Sequence, residues 1–203
     1  MTSARAISTP ALIAATTLVG LGVIAYGFSL HGWTEEGAGA AARLTARFSF
    51  PIFVLAWSAS AIARLWPGGW RTILLRRRRA IGLSFAAAHF VHLGALLTAL
   101  LVFGVESKPT TLIGGSFGYV VITLMALTSN DASVRFLGPQ RWKLFHAAGG
   151  YVIAAIFAVS YAGRLATDPP LAIATLGLLG VGVALRLAAW MKRRVTTMQS
   201  ASA

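Results

Sequence analysis

The sequence predicts an all-α polytopic membrane protein, a bundle of six transmembrane helices. Three observations predict it. Apolar runs of near-bilayer length recur along the 203 residues, at 10–30, 45–66, 80–105, 112–129, 142–162 and 171–191. A hydrocarbon core about 30 Å thick needs about 20 apolar residues in helical form. Charged residues make up only 11% of the chain against 57% hydrophobic, where a soluble domain carries about twice that charged fraction. The basic residues gather at alternate ends of the apolar runs, as membrane orientation requires.

Each run is expected to be a helix, because backbone polar groups in lipid must pair within their own segment. The first, 10–30, is long for a signal-peptide core, and no convincing Ala-x-Ala cleavage site precedes the second run, so it is expected to be retained. The second carries Pro51 near its start. Between them, residues 31–44 are rich in Gly and Ala and are expected to form a loop at the membrane surface. Pro67-Gly68-Gly69-Trp70 reads as a turn, followed by a basic run at Arg76, Arg77, Arg78 and Arg79. A short basic loop is expected between the fourth and fifth runs. Residues 1–9 are expected to be a cytoplasmic N-terminus, 10–191 the six-helix domain, and 192–203 a basic, disordered cytoplasmic tail.

Six spans place both termini on one side. That side collects Arg5, Arg64, Arg71, Arg76 to Arg79, Arg135, Arg141, Lys143, Lys192, Arg193 and Arg194, with Arg186 close to it inside the last run. The other side holds Arg43, Arg47, Lys108 and Arg164, and most of the acids: Glu35, Glu36, Glu106 and Asp168. The Lys/Arg bias predicts cytoplasmic termini and a location in the cell inner membrane. It also explains the net charge of +13 without nucleic acid, because the basic residues form no single patch. Trp33, Trp66, Trp70, Trp142 and Trp190 fall near span ends, where amphipathic rings anchor.

Several chemistries are excluded. No cysteine is present, so there is no disulfide, thiolate metal site or redox thiol. No acidic residue lies inside a run, which argues against a carboxylate proton relay or a cation transporter. There is no Ser-His-Asp arrangement and no phosphate-binding glycine loop.

The intramembrane candidates are histidines. His89 and His92 lie three residues apart on the third run, hence on one helical face, and His146 lies early on the fifth. Three imidazoles imitate a zinc set, but i,i+3 spacing without Cys or carboxylate is a weak zinc pattern. Haem ligation suits them better, since histidines on different helices of a bundle can reach both faces of the iron. A flat macrocycle needs small neighbours. Gly149 and Gly150 follow His146 at i+3 and i+4, and Ala88 and Ala95 flank His92. The bland alternative is that these small residues only allow close helix packing. Attachment would be non-covalent, as no Cys-x-x-Cys-His site exists.

The segment Arg79-Ala80-Ile81-Gly82-Leu83-Ser84-Phe85 followed by His92 resembles the third helix of the ferric reductase-like transmembrane domain. Leu127-Thr128-Ser129-Asn130, and Leu137 through Trp142 to His146, resemble the same family further on. The resemblance covers roughly residues 45 to 190. It implies a six-helix bundle with b-type haem between the third and fifth spans, and electrons passing across the membrane. Carried over, His92 matches the third-span ligand and His146 the first ligand of the fifth span. Family members usually have a second fifth-span histidine about thirteen residues further on, where this chain has Val159 with Ser160 next to it, neither a good iron ligand. The inner third-span partner would fall near Arg78 and is also absent, so at most one haem b is expected. His89 is an extra histidine.

Level along the helix gives a different ranking from the motif. At 1.5 Å per residue, His92 lies about 20 Å from Arg79, His89 about 15 Å, and His146 about 8 Å from Arg141. By level His89 suits His146 better; by motif His92 does. Arg79 and Arg141 can pair with haem propionates, or serve only as topology determinants. The expected function is a b-haem electron-transfer subunit, a possible membrane subunit of an oxidoreductase. Its partners would be the lipid bilayer and separate electron donor and acceptor proteins or quinone. The alternative is a haem-less membrane scaffold or assembly subunit that kept the fold.

Overall fold

The computed structural model describes residues 7–201. Arg5 and the rest of 1–6 lie outside the described residues, as do the last two residues of the expected tail. Seven helices follow in order: α1 (Thr9–His31), α2 (Glu35–Leu65), α3 (Trp70–Leu97), α4 (Pro109–Leu127), α5 (Asp131–Leu137), α6 (Pro139–Ala162) and α7 (Pro169–Ala201). A π-helical turn, Thr98–Val102, continues α3. There is no strand among the described residues. All helices except α5 are long and apolar enough to cross a membrane. Their outward faces carry large apolar residues, such as Leu18, Ile113, Val120, Leu144 and Ile173, which suits lipid as the solvent.

Four expectations need correction. Residues 35–44 are helix, not loop. Thr34 Oγ1 accepts from Gly37 N at 3.2 Å, and Glu35 and Glu36 occupy the first turn, where the helix dipole favours negative charge. The Gly and Ala content that suggested a loop instead permits close packing: Ala38 and Ala41 are fully buried. The basic run Arg76–Arg79 lies within α3, because arginine is a good helix former and its stem reaches along the surface. The helix also continues through the expected tail to Ala201. Finally, the link between the fourth and fifth spans contains α5. Asn130 caps it, accepting from Ser133 N at 2.8 Å. Gly138, at φ +78°, makes the turn into α6, a backbone region that favours glycine, and Pro139 opens the next helix.

The chain divides into two compact units, 1–53 with 79–113, and 54–78 with 114–203. In the first, α1 packs on α2 so closely that a Cβ at Gly27 would lie 2.6 Å from Ala41 N. Ala41, Ala42 and Ala95 form its core with Ile24 and Phe28 against them. The α2–α3 register is antiparallel: Thr45 meets His92, Ser49 meets His89, and Phe53 meets Phe85. In the second unit, Gly118 of α4 faces Ile156 of α6, and Gly150 and Gly182 form notches against Trp57. Lys192 Nζ donates to the carbonyls of Arg64 and Leu65 at 3.3 and 3.2 Å. The ends of α2 and α7 therefore lie side by side.

Candidate functional site

Each candidate histidine meets a hydroxyl on a neighbouring helix. In the first unit, His92 Nδ1 lies 3.1 Å from Thr45 Oγ1, and His89 Nδ1 lies 2.9 Å from Ser49 Oγ. Thr45 and Ser49 are one turn apart on α2 and both fully buried. The two imidazoles are neighbours, with ring centroids 5.1 Å apart, and Phe85 lies 5.3 Å from His89. In the second unit, His146 is 8% exposed. Its Nε2 lies 3.0 Å from Thr128 Oγ1, and its ring stacks on Trp142 at 4.1 Å. Trp142 Nε1 donates to the Thr128 carbonyl at 2.7 Å, so Thr128, just past the end of α4, holds the first turns of α6 by two contacts.

A hydroxyl has one proton to give, so a bond to a backbone carbonyl limits what it can offer a ring nitrogen. Thr45 Oγ1 donates to Ala41 O at 2.7 Å, the ideal O–H···O length. With its proton on that carbonyl, the hydroxyl offers His92 Nδ1 an acceptor, which suits the Nδ1–H tautomer. Thr128 Oγ1 likewise donates to Leu124 O at 2.7 Å and can accept from His146 Nε2 at 3.0 Å. At Ser49 the carbonyl of Ala46 and His89 Nδ1 lie at 3.0 and 2.9 Å, and the hydroxyl can serve either.

The small residues near the histidines are occupied by packing. A Cβ at Gly149 would meet the side chains of Met125 and Val121, and one at Gly150 would meet Trp57. Ala88 and Ala95 are buried. Close helix packing thus accounts for the pattern that suggested a macrocycle cradle. Arg79 on α3 and Arg141 in the first turn of α6 are exposed. Among the described residues no group of three or more His, Asp or Glu gathers as a metal site.

The position of the missing histidine is informative. Val159 is 75% exposed, while the buried face of α6 runs His146, Gly150, Ile153, Phe157, Tyr161. Aromatic side chains, not a vacated ligand position, continue the face that carries His146.

Sequence reasoning missed Thr45 and Ser49. Their signal is an i,i+4 hydroxyl pair on the second span. Once α2 and α3 are paired antiparallel, these residues meet the histidines in register.

A curated relative covers much of the chain. The heme-binding subunit MsrQ of protein-methionine-sulfoxide reductase from Rhodospirillum rubrum is 31% identical over 150 residues, covering 70% of each chain. This chain belongs to the MsrQ family. No family model matches it, and no solved structure matches. The fold above therefore describes a member of the MsrQ family, and a multi-pass membrane protein, from its own helices.

Proposed function

We propose that the chain is a b-type haem electron-transfer subunit that relays electrons across the inner membrane to a partner or acceptor. The observation that carries this reading is the hydroxyl-held imidazole at each of His89, His92 and His146, in a chain whose MsrQ relative is named a haem-binding subunit. Imidazole is the standard axial ligand of b-type haem, and a hydrogen bond to its other nitrogen orients it; His89 and His92 meet their hydroxyls through Nδ1, whereas His146 meets Thr128 through Nε2, so ligation by His146 requires that contact to open. His92 and His146 are the proposed axial ligands, with His89 the alternative on α3. Bound haem would supply a one-electron carrier within the membrane. The protein's part is to orient the imidazoles, with His146 buried and His89 and His92 half-buried. Exposed Arg79 and Arg141 are candidates for the propionates. Membership of the wider ferric reductase-like family, cytoplasmic termini, and separate donor and acceptor proteins or quinone belong to the same proposal.

The test is the absorption spectrum of the purified protein, oxidised and dithionite-reduced, after expression with ample haem. The wild type is expected to show a sharp alpha band on reduction, and His146→Ala to lose it. A wild type without the band sinks the electron-transfer reading. The second reading then stands: a haem-less membrane scaffold, favoured by Met125 and Trp57 filling the faces of Gly149 and Gly150.

A further inference from the structure

The hydroxyl partners of the histidines distinguish the two proposed ligands. Thr45 is fully buried on α2 and gives its proton to Ala41 O at 2.7 Å, with Ala42 O at 3.1 Å as a second carbonyl contact. Its remaining lone pair faces His92 Nδ1 at 3.1 Å. Thr128 makes the same kind of carbonyl bond at 2.7 Å, yet it meets the opposite ring nitrogen of its histidine, Nε2. The tip nitrogen of His146 is thus engaged by a hydroxyl, while His92 is engaged through the nitrogen nearest its own backbone.

We infer that Thr45 is the positioning residue for His92: it accepts the Nδ1–H hydrogen bond and so fixes the tautomer whose Nε2 lone pair is directed to iron. This rests on the haem reading above and adds a residue to it. A metal-bound histidine usually donates its second N–H to an acceptor, which holds the ring and raises its basicity. Most such acceptors are carboxylates or carbonyls. Here a threonine serves, because its proton is already committed to the helix backbone. The Thr45 contact comes from α2 and depends on the antiparallel register that also pairs Phe53 with Phe85 at 5.2 Å. Because a threonine is neutral, it strengthens the ligand without adding a buried charge to the span, which would be costly there.

The experiment uses the full chain in lipid nanodiscs with ¹⁵N-labelled histidine. In haem-free wild type, the two-bond proton–nitrogen spectrum is expected to show His92, assigned by its loss in His92→Gln, protonated at Nδ1. A His92 protonated at Nε2 overturns the assignment whatever the haem content. Thr45→Val keeps the shape and removes the acceptor. In it the Nδ1 preference is expected to disappear, haem affinity to fall by about tenfold or more, and the midpoint potential to move positive, because a less basic imidazole stabilises ferric iron less. Thr45→Ser is expected to restore all three. A Thr45→Val protein with wild-type affinity and potential overturns the role of Thr45 while leaving the haem reading intact. A wild type that binds no haem sinks the haem reading, and the tautomer measurement still decides what Thr45 does.

Discussion

Arg186 shows how a single charged side chain is accommodated within the last span. Its guanidinium lies 4.9 Å from the Trp57 ring centre and 4.8 Å from that of Tyr151. One nitrogen donates to the Trp57 carbonyl at 2.8 Å, and another to the Tyr151 hydroxyl at 3.2 Å. A planar, delocalised cation suits stacking between rings, and its fork reaches two acceptors at once. Lysine keeps the charge and loses the geometry. Arg186→Lys is therefore expected to destabilise the protein by about 2 kcal/mol, read as a lower unfolding midpoint in detergent. An unchanged midpoint would show that the sandwich contributes nothing. The sequence identified Arg186 only as a residue near the cytoplasmic end. Its two aromatic partners lie on other helices, and no spacing within α7 announces them.

At the scale of the helix, α2 departs most from its sequence reading. Half of its apolar window is buried, against 11% for α1 and α4. Its first turns, rich in Gly and Ala, looked like a surface loop. In lipid, small residues let helix backbones approach, and residues 35–44 do this against α1. The helix start itself was legible: Thr34 followed by Glu35 and Glu36 is a capping residue with an acidic first turn. The partner, Gly27, was not. A Cβ there would come within 2.5 Å of the Ala41 Cα, which is backbone and cannot rotate away. Gly27→Val is expected to cost at least about 1–3 kcal/mol by separating α1 from α2, visible as a lower melting temperature. The same substitution at Gly22, where a Cβ would meet nothing within 4 Å, is expected to leave it near wild type. Equal melting temperatures for the two variants would refute close α1–α2 packing.

For the whole molecule, the solvent sets the plan. Apolar side chains face outward along the spans, and the basic residues cluster on alternate connections. The contact of Lys192 with the Arg64 and Leu65 carbonyls fits the even count of spans, since α2 and α7 must then end on the same side. We propose from the positive-inside bias that this side is the cytoplasm. A reporter fused after Ala203 is expected to read cytoplasmic, and a periplasmic reading would reverse the proposed orientation of the electron path.

The sequence by itself determined the fold class, the number of spans and the identity of the three candidate histidines. These depend on the length and polarity of continuous segments, which the bilayer reads directly. What only the tertiary structure decided was the meaning of the small and hydroxyl residues. Gly149 and Gly150 read in the sequence as a cradle or as packing notches, and only the structure shows Met125 and Trp57 set against them. Thr45 and Ser49 carried no message until the register of α2 against α3 brought them to His92 and His89. Val159 read as a lost ligand until the buried face of α6 was seen to continue through Phe157 and Tyr161. The physical reason is common to all three. Hydropathy along one helix reports what surrounds it, whereas a hydrogen-bond partner or a filled notch depends on the rotation and register of a second helix, which no single segment encodes.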